Sequence, residues 1–194
     1  MHLGSPPSAW VVRFASMVPE GAPVLDLACG GGRHTRLFAE AGHPVTAVDV
    51  DVGNLGDLRD HPRVEPIQAD LEGEDPFFLR GPLAGRAFGG VVVTNYLHRP
   101  LLEDLVAAVA PGGVLIYETF AEGNEELGGR PKNPDFLLRH GELLDLVRGR
   151  LRVVAYEDVV LGGPEPAAVQ RICAVREPSW AGFGGLAVPV SAWT

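Results

Sequence analysis

Cysteine, lysine and long apolar runs are what this 194-residue chain has least of. Its two cysteines, Cys29 and Cys173, are too few for a disulfide framework, and neither sits in a metal-ligand spacing. Reduced thiols are expected, with Cys173 as part of the core. No H-E-x-x-H or paired C-x-x-C motif occurs, so no metal site is predicted. No apolar stretch approaches the roughly 18 residues needed to span a bilayer. The opening MHLGSPPSAW lacks a basic segment followed by a hydrophobic one, which points to a cytoplasmic protein without membrane contact. Lys132 is the one lysine among 16 scattered basic residues, and the formal charge is −9. That balance repels phosphate backbones and makes nucleic acid an unlikely partner.

What remains is 46% hydrophobic, enough for one substantial core, so a single domain over 1–194 is expected. The most informative stretch is Val24 to Asp51, VLDLACGGGRHTRLFAEAGHPVTAVDVD. Val24, Leu25 and Leu27 suit a buried parallel strand, and Gly30, Gly31 and Gly32 let the backbone turn tightly and approach a ligand. Thr35, Leu37, Phe38 and Ala41 then recur at helical spacing, with Gly42 placed for a left-handed cap. Val45, Ala47 and Val48 form a second strand ending at Asp49, which lies 49 − 26 = 23 positions after Asp26. The pattern is a βαβ unit bearing a nucleotide-type cofactor loop.

Spacing separates two cofactors. The dinucleotide fingerprint G-x-G-x-x-G/A, counted from Gly30, places Thr35 in its last slot. What fits is acid-x-small-x-Gly-x-Gly, as Asp26, Ala28, Gly30 and Gly32. This resembles the first motif of the class I S-adenosylmethionine-dependent methyltransferases, and the resemblance names S-adenosyl-L-methionine as cofactor. That family usually has glycine where Ala28 stands, so the backbone there is expected to adopt an angle open to alanine. The resemblance further implies that Asp49 accepts hydrogen bonds from both ribose hydroxyls and that Asp70 meets the adenine amino group. Backbone N–H groups of Gly30 to Gly32 would meet the amino-acid end. For Asp70 the plain alternative is a solvated acid that starts a loop.

The alternation continues. Val64 to Ala69, ending at Asp70, and Gly90 to Thr94, ending at Asn95, read as the third and fourth strands; Val114 to Tyr117, after the Pro111-Gly112-Gly113 turn, reads as the fifth. Leu101, Leu102, Leu105, Val106 and Val109 mark one helix, GELLDLVRG another, and the segment after Asp51 holds at most a short or frayed one. Strands near 150–160 and 169–175 follow without an intervening helix and predict an antiparallel hairpin on the sheet edge. The expected fold is α/β: a Rossmann-like, mostly parallel seven-stranded sheet with an antiparallel last strand and helices on both faces. FLLRHGELLDLV, LRVVAYEDVV and RICAVRE also resemble the C-terminal half of the small tellurite-resistance-type methyltransferases, which are monomers or homodimers acting on small nucleophiles. The matching residues are Gly141, Glu142 and Leu143, then Tyr156, Glu157 and Asp158.

Acceptor-side candidates follow the fourth and fifth strands. Asn95, Tyr96 and His98 stand in TNYLHRP, which lacks the Asn/Asp-Pro-Pro-Tyr/Phe signature of the amino-methylating DNA and protein enzymes. His98 is either a general base or a helix cap. Methyl transfer needs little beyond in-line positioning, so a base is optional. Glu118 is either an acceptor-side group or half of a buried ion pair. Residues 121–139 show no periodicity and read as a substrate-side lid, in which Arg130, Lys132 and Asn133 suit a small polar or anionic acceptor, or else as a mobile connection. Residues 8–18 form an amphipathic helix that either covers the site or simply packs, and the tail 178–194, with Trp180, Phe183 and Trp193, is expected to dock. The leading reading is methyl transfer to a small molecule. The alternatives are an RNA or protein methyltransferase, a non-catalytic S-adenosylmethionine-binding module, or a nucleotide-sugar or NAD(P) enzyme on a similar sheet.

Overall fold

A computed structural model describes residues 5–73, 78 and 81–178. The tail aromatics Trp180, Phe183 and Trp193 lie outside the described residues. Seven strands form one sheet: β1 (Val24–Leu27), β2 (Val45–Asp49), β3 (Val64–Gln68), β4 (Phe88–Thr94), β5 (Val109–Phe120), β6 (Arg152–Leu161) and β7 (Ala167–Val175). Their order is β3-β2-β1-β4-β5-β7-β6. The first five are parallel to their neighbours, and β7 runs antiparallel to both β5 and β6. The expected edge hairpin is therefore present, with the last strand reversed.

Burial explains these strands. Every residue of β1 and β4 is buried, because helices cover both faces of the sheet and continuous apolar runs satisfy both at once. Helices α1 (Ala9–Phe14) and α2 (Arg33–Glu40) bring Trp10, Phe14 and Phe38 against Val92, Ile116 and Cys173. On the other face, α3 (Leu102–Ala107) and α4 (Glu142–Val147) bring Leu105, Val106, Leu143 and Leu146 against Leu25, Val93, Leu115 and Ile172. Each such fully buried side chain contributes roughly 1.5 to 3 kcal/mol. Residues 52–60 form only 3-10 turns, broken at Gly56, as their glycines foretold.

One expectation is corrected. Val109 does not close the α3 face; it opens β5 opposite Phe88. Pro111 cannot continue a helix, and Gly112 takes φ 78, so the chain arches instead. Two steps along β4, Phe88 to Gly90, match five along β5, Val109 to Val114, and the Pro-Gly-Gly turn becomes a bulge inside a longer strand. The N-terminal helical segment runs over Ala9–Phe14 and continues as a 3-10 turn over Ala15–Met17, with Trp10, Val11 and Phe14 packed on the sheet face. The Trp10 indole donates to the Ile172 carbonyl at 3.2 Å, while the Pro6 carbonyl accepts from Arg33 and the Ser8 hydroxyl donates to Glu118.

Residues 121–139 are aperiodic because their hydrogen bonds run to distant partners. Ala121 donates to the Ala168 carbonyl and Leu138 to that of Phe120, each at 2.9 Å. Asn124, wholly buried, donates through its amide to the Pro131 carbonyl at 3.1 Å and accepts from the Ala168 N–H at 3.2 Å. Arg99 donates to the carbonyls of Asp135 and Leu137, both at 2.8 Å, and to the Glu142 carboxylate. These contacts tie the segment to β5, β7 and α4. Asn124→Ala would leave a buried N–H and a carbonyl unpaired, so it is expected to cost about 2 kcal/mol in urea denaturation and to speed amide exchange at Ala168. Unchanged stability and exchange would show that the segment is held by other means.

Candidate active site

The loop after β1 is built from left-handed backbone and two acids. Gly30 and Gly32 take φ 53 and φ 74. A Cβ on Gly32 would lie 2.6 Å from both Leu55 Cδ2 and Leu58 Cδ1, so angle and packing both demand glycine there. Ala28 takes φ 54, which corrects the expectation that its angle would suit alanine. A non-glycine residue in that region costs about 1 kcal/mol, a strain typical of ligand-binding loops.

Asp49, at the end of β2, accepts from the Gly30 N–H at 2.8 Å through one oxygen and from the Asp51 N–H at 3.1 Å through the other. Its carboxylate is oriented across the loop, and each oxygen retains a lone pair for a ligand hydroxyl. The glycine N–H groups contribute less than expected: that of Gly30 is engaged by Asp49 and that of Gly32 by the Cys29 carbonyl at 2.9 Å. Asp26 faces inward. It is 1% exposed and accepts from the Thr35 hydroxyl at 2.6 Å, so it ties α2 to β1 and lies outside the cavity lining. Burial lifts its carboxyl to about 6, against the opposing pull of Thr35 and Arg33.

Two cavities open at the carboxyl ends of the strands, where the sheet order reverses between β1 and β4, the place where open α/β sheets bind ligands. The first, about 320 Å³, is lined by Ala28, Asp49, Ala69, Asp70, Glu72 and Tyr96, with Val50 and Leu71. The second, about 230 Å³, lies among Asn95, Leu97, Thr119, Phe120, Pro131 and Phe136, and shares Glu72 and Tyr96 with the first. Tyr96 and Glu72 are thus the partition. The Tyr96 hydroxyl is buried with no hydrogen-bond partner among the described residues. Burial, and then the carboxylates of Glu72, Asp70 and Asp49, hold its phenol above the ordinary range, so it stays a neutral donor and acceptor. An oriented acid, an acidic rim and an orphaned hydroxyl fit a polar, cationic cofactor of nucleoside type.

Other candidates fall elsewhere. Glu118 accepts from the Ser8 hydroxyl at 2.8 Å and pairs with Arg171 at 3.2 Å, which is the ion-pair alternative. His98 precedes the 3-10 turn Arg99–Leu101, makes no side-chain cap and lines neither cavity. Arg130 and Lys132 are exposed and outside both linings, and Asn133 caps the 3-10 turn Pro134–Phe136. Several residues with a part in the site escaped the sequence reading. Arg33 donates to the Pro6 carbonyl and to the Thr94 hydroxyl, and so sets a cation beside the glycine loop. The signal for it was its place directly after the three glycines. Glu72, Phe120 and Phe136 carry no motif at all. His34, 1% exposed, accepts from the Ser8 N–H at 3.0 Å; burial, and then Arg33, lower it to about 4 and keep it neutral.

Comparison with known proteins agrees with this geometry. Residues 24–113 match the family described as "Methyltransferase domain". The chain is 37% identical over 101 residues to a trans-aconitate 2-methyltransferase of Paracidovorax citrulli, covering 47% of this chain and 36% of that protein. It is 33% identical over 109 residues to the malonyl-[acyl-carrier protein] O-methyltransferase of Salmonella typhimurium, covering 53% and 41%. The chain thus spans less than half the length of these curated relatives. Among solved structures, TehB from Haemophilus influenzae superposes with a TM-score of 0.70 at 15% identity, over 88% of this chain and 63% of that one. The 1,6-didemethyltoxoflavin-N1-methyltransferase of Burkholderia thailandensis does so with 0.62 at 23% identity, over 87% and 76%. The matched segment and the fold point the same way: residues 24–113 are similar to the methyltransferase domain, and the sheet with its flanking helices has the fold of the solved methyltransferases. In fold the chain is similar to TehB.

Asp26 and His34 bend the stability profile in opposite directions. Asp26 has a folded value of about 6 above its reference of 3.8, so the fold gains stability as pH falls through that interval. His34 has a folded value of about 4 below its reference of 6.5, so the fold loses stability over nearly the same window. The two largely cancel in the native protein. Asp26→Asn removes the compensation, and the variant is expected to lose about 2 to 3 kcal/mol more than the native protein between pH 7 and pH 4 in chemical denaturation. Parallel profiles would show that Asp26 is already ionised throughout.

Proposed function

We propose that this chain is a cytoplasmic S-adenosyl-L-methionine-dependent methyltransferase that acts on a small molecule. The observation that carries the reading is the pair of cavities meeting at Tyr96 and Glu72, one rimmed by Asp49 and Asp70, the other walled by Phe120, Pro131 and Phe136. In this reading Asp49 holds the ribose, Asp70 the adenine amino group, and Arg33 with the Gly31 N–H the amino-acid end. When bound, the cofactor supplies a methyl group on a positively charged sulfur.

The chain's own residues supply position. Asn95, at φ 56, turns the backbone at the end of β4 so that Tyr96 stands between the two cavities. The Tyr96 hydroxyl gains from a ligand the partner that the protein withholds. The segment 121–139 acts as a fixed roof, its Pro131 and Phe136 excluding water from the acceptor side. Methyl transfer then needs in-line approach more than a base, which suits a site whose linings contain neither His98 nor Glu118.

Calorimetry with S-adenosylmethionine, S-adenosylhomocysteine and NAD tests the reading. The first two are expected to bind and NAD is not. Asp49→Ala removes charge-assisted hydrogen bonds of roughly 1.5 to 3 kcal/mol each and is expected to weaken S-adenosylhomocysteine by at least about tenfold, with melting behaviour confirming a folded variant. Binding of NAD alone, or undiminished affinity in the folded variant, would sink the assignment.

A further inference from the structure

We infer that the methyl acceptor is a small flat amine, an aromatic or heteroaromatic ring carrying a basic nitrogen, and not a carboxylate or another oxyanion. The inference rests on the methyltransferase reading and names the acceptor class of the same site. The second cavity is walled by the rings of Tyr96, Phe120 and Phe136, and its one ionisable carboxylate is Glu72. Phe136 stays 43% exposed, an apolar face turned to solvent that a bound ring would cover. The adjoining cavity adds the carboxylates of Asp49 and Asp70, so the joined space carries three acids.

No described residue with a permanent positive charge lines either cavity. The neighbouring arginines have partners: Arg99 is held by Glu142 and two carbonyls, and Arg171 by Glu118 and Glu157. An oxyanion entering here would meet carboxylates, which repel it. A cation meets a wall of three aromatic side chains and the Glu72 carboxylate, which draws it in. The polar groups left, the Asn95 amide and the Thr119 hydroxyl, suit a ring substituent.

Charge balance is simple for an amine. The ammonium first gives one proton to water. The freed lone pair then forms the bond to the methyl carbon, while the electrons of the broken carbon–sulfur bond stay on sulfur as a neutral thioether. The methylated nitrogen sheds its surplus proton to solvent.

Matched probes of one shape and opposite charge test the idea: tryptamine against 3-indolepropionate, and phenethylamine against 3-phenylpropionate. Each is titrated into the full chain saturated with S-adenosylhomocysteine. At least one amine is expected to bind about tenfold or more tightly than its carboxylate partner, a margin of about 1.4 kcal/mol. Glu72→Gln is expected to cut that preference by about fivefold, and Phe136→Ala, at a side chain lining the second cavity alone, to weaken the amine with S-adenosylhomocysteine affinity within about twofold. Methylation of the preferred amine, read by mass spectrometry, would add support. Equal binding, no binding, or preference for the carboxylate in both pairs overturns the inference and leaves the methyltransferase reading standing. Failure of S-adenosylhomocysteine to bind in the first place removes that reading itself.

Discussion

The 2.6 Å hydrogen bond from the Thr35 hydroxyl to the buried Asp26 carboxylate is the contact on which the site depends. Asp26 stands in β1 at the middle of the sheet, and Thr35 belongs to the first turn of α2. Their bond fixes the distance between strand and helix, and the chain joining them must turn through the left-handed angles at Ala28, Gly30 and Gly32. On the outer side Asp49 grips the Gly30 N–H at 2.8 Å. The loop is held between one acid inside and one at the rim. Burying a carboxylate is costly, as the lifted Asp26 value records, and neutral His34 on α2 adds a second buried polar group whose acid response has the opposite sign.

Arginine use completes that electrostatic picture. In an acidic chain the cations near the sheet's carboxyl end serve architecture: Arg171 joins Glu118 to Glu157, Arg99 pins the 121–139 segment to Glu142, and Arg33 reaches Pro6 and Thr94. The acids at the rim, Asp49, Asp70 and Glu72, have no such arginine partners among the described residues. A site of this kind attracts cations, in keeping with a sulfonium cofactor, and it does so with the chain's own surplus of negative charge.

The legible part of the sequence was the part made by local contacts. The unit from Val24 to Asp49 could be read because each element there satisfies its own periodicity and turn chemistry, and because the acids close on backbone groups of the same unit. The hairpin after residue 150 was legible for the same reason. Val109 was misread since a helical spacing continued by chance into a strand, where Pro111 and the pairing with Phe88 decide the outcome. Asp26 matched its motif, yet spacing alone does not say whether an acid faces ligand or core. The 121–139 segment was opaque because Asn124 bonds to Ala168 and Arg99 to Glu142, partners more than forty positions away.

That division has a functional logic. The glycine-loop unit rests on contacts close in sequence, so its geometry is set by a short stretch and tolerates little change. The acceptor half is assembled from the end of β4, the end of β5 and a segment stapled by two long-range side-chain bonds, and its walls, Phe120, Pro131 and Phe136, belong to no motif. Substitutions there alter shape and charge without disturbing Asp26, Asp49 or the glycine loop. On the methyltransferase reading, acceptor identity can therefore diverge while the glycine-loop unit stays fixed, in keeping with a family match confined to residues 24–113 and with second-cavity walls that belong to no motif.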